Sequence, residues 1–484
     1  MHSQTTKLSV KEKIGYGLGD GAANFVFQSL MLLQASFYTD TFGLSAGTAA
    51  VLFLVARIWG AVADPIMGAI ADRTNTRWGK FRPWIIITAI PFGLIAYLAF
   101  ATPTSMDAGG KLMYAYVTYL MLMTIYSANN IPYSALGGVI TGDMQQRTSL
   151  SSYRFVIVTI ATLAIQGLVL PMVNHFGQGD SAKGYQMTMA IFGSLAFLFF
   201  LITFTTTRER IKPAPQQKTS LLQDLTDLVK NRQWVIMFSV FLFMFIFLAI
   251  RNQILVYFFK YYLVVENQVS FLQGIDKVLF GLLAKMGMTG AGADIAGNTF
   301  SLINICSQLM SLVGIAFSLT LAKRFGKRDA FRTWLIIAAI AAASFFIIPP
   351  TGVWLTFILS LLFNFAWGVT MPLPWAMMAD VTDYGEWKNN RRATGISFAG
   401  IIFGLKLGLA IGGFIGLQIL DSYGYIANVI QAPKAIMGIR LTLSLYPVLA
   451  LAVVIIALFI YGINKKVEYQ MQDELAERRK SYGN

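Results

Sequence analysis

The chain has 484 residues, of which 56% are hydrophobic and only 13% charged, and its mean hydropathy is +0.60. That composition excludes a soluble globular protein and points to a membrane protein. The formal charge of +15 does not signal nucleic acid, because the basic residues gather in short connections between apolar runs, the positive-inside pattern.

Twelve apolar runs lie near residues 14–38, 46–71, 84–102, 112–140, 151–175, 187–207, 233–262, 298–321, 333–349, 353–379, 396–420 and 439–463. Each approaches the roughly 20 residues a helix needs to cross a hydrocarbon core. The first run has no small-residue cleavage site after it and reads as a retained span. Arg73, Arg77, Lys80 and Arg82 follow the second run, and Arg208, Arg210, Lys212, Lys218, Lys230 and Arg232 follow the sixth. Lys323, Arg324, Lys327, Arg328 and Arg332 follow the eighth, and Lys388, Arg391 and Arg392 the tenth. The alternate connections are nearly bare, so the even-numbered loops and both termini are expected in the cytoplasm.

These signals divide the chain into an N-terminal six-helix bundle (1–207), a cytoplasmic linker (208–232), a C-terminal six-helix bundle (233–463) and a cytoplasmic tail (464–484). Arg77-Trp-Gly-Lys-Phe-Arg after the second span echoes Lys323-Arg-Phe-Gly-Lys-Arg after the eighth, the corresponding place in each half. Repeats of this kind build two bundles with a cavity between them. The connection 263–297, with Gly287-Met-Thr-Gly-Ala-Gly-Ala, reads as an insertion, an amphipathic external segment or a partial gate.

Polar residues inside the spans mark candidate function. Asp20, Asn24 and Gln28 recur every four residues on the first span. On the second, Arg57 and Asp64 are seven residues apart, within about 20° on a helix, with Gly60 between them. Each such charge costs roughly 2.5–3.5 kcal/mol at a helix centre, so that face does not look at lipid. Span four carries Tyr126, Ser127, Asn129 and Asn130 before Pro132, which removes an intrahelical donor. Arg154 lies near the start of span five, within reach of the membrane surface, and Arg251 lies deep in span seven. Asn304 and Gln308 stand four apart in span eight. Trp375 in span ten suits either an interface anchor or stacking on a sugar ring. Lys406 sits among Gly400, Gly404, Gly408 and Gly412, and needs a carboxylate such as Asp64 or Asp20, a substrate or water.

Only one cysteine, Cys306, and two histidines, His2 and His175, are present, so no disulfide or Cys/His metal cluster is expected. Gly292–Gly297 has glycine spacing like a nucleotide-binding loop but continues Asn-Thr, so no ATP motor is read and a gradient must supply the drive. No nucleophile and base pair for an enzyme stands out.

Gly15-Tyr-Gly-Leu-Gly-Asp, Phe37-Tyr-Thr-Asp, Leu54-Val-Ala-Arg, Asp64-Pro-Ile-Met-Gly, Arg77-Trp-Gly-Lys-Phe-Arg-Pro-Trp, Asn130-Ile-Pro-Tyr and Ala379-Asp-Val-Thr-Asp-Tyr-Gly-Glu together resemble the glycoside-pentoside-hexuronide:cation symporter family of the major facilitator superfamily. Gly424-Tyr-Ile-Ala-Asn and Ile436-Met-Gly-Ile-Arg are similar to the end of its glucuronide carriers. The resemblance covers nearly the whole chain. It implies an all-α major facilitator fold, about twelve transmembrane helices in two bundles, and alternating access for a sugar or sugar acid with a coupling cation.

Family members carry two acidic residues on the second helix for the cation. The second matches Asp64 and the first falls on Gly60, which has no side-chain oxygen, so the resemblance implies proton rather than sodium coupling through Asp64. The family's galactoside-binding acids on helices one and four match Asn24 and Asn130, and a helix-four tryptophan matches Ser134. Tyr126, Arg154 and Lys406 match cavity residues. The expected substrate ligands are therefore Asp20, Asn24, Tyr126, Asn130, Arg154, Arg251, Trp375 and Lys406, supported by Arg57, Gly60, Ser127 and Ser134. Retaining Arg57, Arg154, Arg251 and Lys406 without those acids favours a hexuronide, with neutral glycosides and pentosides still open.

Asp72, Arg73, Arg77 and Lys80 facing Asp380, Asp383 and Glu386 are the expected gate. The expectation is a monomer in the bacterial cytoplasmic membrane, with no cofactor, no metal, no ATP and no nucleic acid. A sodium-coupled sugar symporter and a lipid or lysolipid carrier on the same scaffold are the rivals.

Overall fold

The structure is a computed structural model that describes residues 8–103, 105–141, 144–210, 229–264, 281, 295–389 and 394–481. Most of the 263–297 connection and of the linker lies outside the described residues.

The described residues form α1 (Val10–Ser36), α2 (Ala46–Arg73), α3 (Arg82–Ala99), α4 (Ala108–Val139), α5 (Met144–Gly177), α6 (Ser181–Thr206), α7 (Arg232–Tyr261) and α8 (Ile295–Phe325). There follow α9 (Lys327–Ala343), α10 (Val353–Thr370), α11 (Pro372–Asn389), α12 (Thr394–Ser422), α13 (Pro433–Leu443), α14 (Leu445–Ile460) and α15 (Lys465–Ser481). Among the described residues, ten stretches are long and apolar enough to cross a membrane, which makes this a multi-pass membrane protein. They do not include α1 or α4, two helices on which the sequence places inward polar groups. At 27 and 32 residues, these are nonetheless about 40 Å or more long.

Two of the expected spans are broken. Span ten divides at Met371, where Pro372 opens α11. Span twelve divides at Ser444, three residues before Pro447.

The chain forms two compact units, the first built on α1–α6 and the second on α7, α9–α15 and most of α8. Within the first, α1 packs on α5 and α6, α3 on α4 and α6, and α2 on α4. Within the second, α7 packs on α12 and on α13 and α14, while α9 packs on α10 and α14. Four of the five pairings of the first unit thus recur shifted by six spans, as a duplicated bundle requires.

The repeated loop motif meets a carboxylate in both units, at the backbone in the first and at a lysine side chain in the second. Gly79 has φ +111° and Gly326 φ +88°, a left-handed backbone that costs any other L-residue. Beside Gly79, the Glu209 carboxylate accepts the backbone N–H groups of Lys80 (2.9 Å), Phe81 (2.8 Å) and Arg82 (3.0 Å) at the start of α3. An anion there satisfies orphan donors and meets the positive end of the helix dipole. Beside Gly326, Lys327 is paired with Asp380 of α11 (2.7 Å) and Glu468 of α15 (2.9 Å). Each loop is thus held by a carboxylate that follows the last span of its own half.

Nearby, Glu12 binds Arg210 at 2.7 Å. That hydrogen bond raises the guanidinium above its ordinary pKa. The contribution of this pair through Arg210 is therefore present throughout the neutral range and lost only in strong alkali.

Candidate functional site

The candidate functional face of the first unit is built where α1 and α5 run side by side in the same direction. Leu8 N–H donates to Gln146, Lys13 to Ser149 (2.9 Å), and Gln28 to Thr162, while Arg154 pairs with Asp20 at 2.5 Å. The sequence offsets of these pairs, 138, 136, 134 and 134, are nearly constant, which is the signature of parallel helices in register. Close approach depends on Gly17 of α1, where a Cβ would lie 2.6 Å from the Ile157 side chain and 3.2 Å from the Tyr153 carbonyl oxygen.

The four-residue spacing of Asp20, Asn24 and Gln28 becomes a ladder. Asn24 Nδ2 donates to the Asp20 carbonyl (2.9 Å) and to Asp20 Oδ1 (3.2 Å). Gln28 Nε2 donates to Asn24 Oδ1 and Thr162 Oγ1, both at 3.4 Å. The Asp20 side chain is 11% exposed and Arg154 33%, so the ion pair is shielded on one side and open on the other. Arg154 also lies 5.8 Å from the Tyr133 ring, which stacks on Tyr16 at 4.8 Å and donates through its hydroxyl to the Tyr16 carbonyl. Tyr126 packs on Phe27 of α1 at 5.8 Å, giving an aromatic surface beside Gln28. Thr162, Tyr16 and Tyr133 were not expected; only the register of α1 against α5 and the packing of α4 reveal them.

On α4, Ser127 is buried, Asn130 half-buried and Ser134 exposed. Buried Asn129 donates to Thr88 of α3 at 2.7 Å, so it joins helices. On α2, Asp64 and Arg57 are half-buried and Gly60 buried. The Arg57 guanidinium lies 6.0 Å from the Phe53 ring. Arg57, Asp64 and Lys406 all make further interactions, as charges in a membrane helix must. The nearest atoms to a Cβ on Gly60 belong to Met123, at 3.6 Å, which is ordinary contact. Pro65 has no N–H to give the Ala61 carbonyl, so one backbone oxygen next to Gly60 lacks its helical donor.

In the second unit, Lys406 is half-buried on α12, which lies against α7 along Gly404, Gly408 and Gly412. Trp375 is 37% exposed and meets Phe241 edge-on at 4.9 Å.

Arg251 occupies an environment different from that of an open ligand. It is 4% exposed, with its guanidinium 4.2 Å from the Phe345 ring and 4.3 Å from Phe363. Its Nη1 donates to the Leu443 carbonyl at 3.1 Å. That carbonyl is the one whose helical donor would be residue 447, a proline. Arg251 supplies the missing donor at the break between α13 and α14.

The gate residues differ in their surroundings. Arg73 and Arg77 are exposed, with Arg77 lying 4.8 Å from the Trp78 ring, and Lys80 is half-buried. The side chain of Asp72 lies outside the described residues. Asp380 is buried and taken by Lys327 within its own unit, while Asp383 and Glu386 are half-buried.

The chain matches the MFS/sugar transport protein family over residues 15–296 and 291–465. It is 38% identical to the inner membrane symporter YicJ of Escherichia coli (strain K12), over 86% of this chain and 84% of that one. It is 32% identical to the isoprimeverose transporter of Lactiplantibacillus pentosus, over 96% and 91%. Among solved structures it resembles a mutant form of the nucleoside transporter NupG, with TM-score 0.64, 17% identity, and coverage of 93% of this chain and 100% of that one, a likeness of fold. The motifs, the duplicated helical bundles and these matches make the chain a transporter, not an enzyme, and a member of the glycoside-pentoside-hexuronide:cation symporter family.

Proposed function

We propose that this chain carries a glycoside or pentoside across the bacterial inner membrane together with a proton. The observation that carries the reading is the ladder from Arg154 through Asp20 and Asn24 to Gln28. It offers alternating donors and acceptors to sugar hydroxyls, and the 3.4 Å bonds of Gln28 are long enough to be exchanged for a ligand at little cost. Tyr126 and Phe27 provide the flat apolar surface that the face of a sugar ring needs.

The charge balance supports a neutral substrate over a hexuronide. Asp20 already neutralises Arg154, and Arg251 is enclosed by two phenylalanines. A carboxylate ligand would have to displace Asp20 from Arg154, whereas a hydroxyl can join the pair without breaking it. The names of the inner membrane symporter and the isoprimeverose transporter agree with the location and the substrate class.

Asp64 is the proton carrier in this reading, because Gly60 withholds the second carboxylate that a sodium site would use. Proton binding at Asp64 and sugar binding strengthen each other, since linkage is reciprocal. The test is uptake by the purified protein in liposomes, across neutral and acidic glycosides, under imposed pH or sodium gradients. A pH gradient should drive accumulation, and Asp64→Asn should abolish accumulation while leaving sugar exchange. Sodium-driven, pH-insensitive uptake overturns the proton assignment, and accumulation by Asp64→Asn removes Asp64 from the mechanism.

A further inference from the structure

The turns at Gly79 and Gly326 share a motif but not a charge balance. In the second unit Lys327 is held between Asp380 and Glu468, and Arg328 and Arg332 reach Asp329 at 3.0 and 3.2 Å. Aligned on the two glycines, Asp329 stands where the first unit has Arg82. Residues 72–82 of the first unit hold four basic residues against one acidic, Asp72. Glu209 is already engaged by three backbone N–H groups, and Glu12 by Arg210. Among the described residues, none of Arg73, Arg77 and Arg82 is in an ion pair. The first turn is left with a positive surplus that the second turn does not have.

This surplus is mounted on an aromatic platform. The Arg77 guanidinium lies 4.8 Å from the Trp78 ring, and Trp78 meets Phe204 of α6 edge-on at 5.6 Å. Arg82 braces the platform from below, lying 4.7 Å from the Phe204 ring and donating to the carbonyls of Trp78 (3.3 Å) and Phe204 (2.6 Å). The tip itself is fixed, because Thr76 and Gly79 exchange backbone hydrogen bonds at 3.3 and 3.1 Å. Trp78 is 42% exposed and stands just beyond the points where the spans of α2, α3 and α6 end or begin, at Ala71, Arg82 and Thr206. That is the level of the lipid headgroups, where tryptophan is the usual anchor. On the spans beneath, Ile87, Ile90, Leu198 and Leu201 expose apolar surface suited to acyl chains.

We propose that Arg73, Arg77 and Trp78 form a seat for the phosphodiester headgroup of an anionic phospholipid, carried by the first unit and not repeated in the second. A guanidinium binds phosphate through two parallel N–H groups, and basic side chains beside a span attract anionic lipid. The N-terminus of α3 is filled by Glu209, so the headgroup meets the arginine side chains and not the helix end. This gives Arg77 a partner in the membrane, different from the gate expected of it, and holds whatever sugar is carried.

The test is native mass spectrometry of the full-length protein released from detergent micelles, titrated with phosphatidylglycerol, phosphatidylethanolamine or glycerol 3-phosphate. The parent should retain phosphatidylglycerol in preference to the zwitterionic lipid. Arg77→Gln should weaken that binding about fivefold, the scale of one basic residue at a membrane surface, and Arg77→Lys should stay within twofold of the parent. Arg324→Gln, the same position in the second turn, should change nothing, although Arg324 also lies over a ring, that of Phe325, at 5.3 Å. Thermal unfolding without added lipid should be the same for parent and variants, because both arginines are exposed. Equal retention of the two lipids, binding by Arg77→Gln within twofold of the parent, or an equal loss in Arg324→Gln overturns the proposal. Displacement of the lipid by an equal concentration of glycerol 3-phosphate overturns it too, since the ligand would then be a soluble phosphate.

Discussion

Arg251 lends itself to a double-mutant test because its partner is defined by an absence in the sequence. Replacing it with methionine removes the guanidinium from between Phe345 and Phe363 and strips the Leu443 carbonyl of its donor. Relief from burying a cation offsets part of that loss, so the single variant does not isolate the carbonyl. In a Pro447→Ala background residue 447 regains an N–H for the same carbonyl, and the desolvation terms cancel around the cycle. The remaining coupling is the penalty for one buried, unsatisfied carbonyl, about 1–3 kcal/mol. At roughly 2–4 °C per kcal/mol for a unit of this size, thermal unfolding of the purified protein should show a coupling of about 2–12 °C. Additive shifts would refute the capping role. A loss of sugar affinity by Arg251→Met that Pro447→Ala does not restore would make Arg251 a substrate ligand instead.

Asp20→Asn should leave Arg154 without its counter-charge and lower stability by about 2 kcal/mol, roughly half the value for a fully buried pair because Arg154 is one-third exposed. Adding Arg154→Gln should recover most of that in thermal unfolding while sugar binding stays lost. Gly60→Asp fits beside Met123 and places a second carboxylate one turn from Asp64, so uptake in liposomes should become sodium-stimulated. Gly79→Ala and Gly326→Ala should each destabilise by about 1–2 kcal/mol through the left-handed backbone. Gly79→Ala should be the worse in thermal unfolding, because its Cβ would also displace Glu209.

Most of the helical layout is legible because a span must be apolar over its full length. The positions of α1–α6 follow the expected runs closely, and the inward stripe on α1 is visible as a four-residue period. What the sequence conceals is pairing at a distance. Asp20 reads equally well as a partner for Lys406 or as a ligand, and only packing across 134 residues joins it to Arg154. Arg251 is visibly too deep to snorkel, but its acceptor is a carbonyl 192 residues away that a proline has released. The break at Met371 is signposted by Pro372 and Pro374, yet apolarity continues through it, so hydropathy alone draws one helix over 353–379. The expectation of an acidic substrate counted charges one by one, and neither the pairing of Arg154 with Asp20 nor the enclosure of Arg251 by two rings is visible in the sequence.

The carboxylate that fastens each glycine turn has a bearing on how the protein is made. Glu209 emerges from the ribosome 130 residues after Gly79, when all six helices of its half have been synthesised, and Glu468 stands in the same relation to Gly326. Each half carries its latch at its own trailing end. The first bundle can therefore lock as soon as its last helix is inserted, while the second half is still being translated, and neither needs the other to complete its turn.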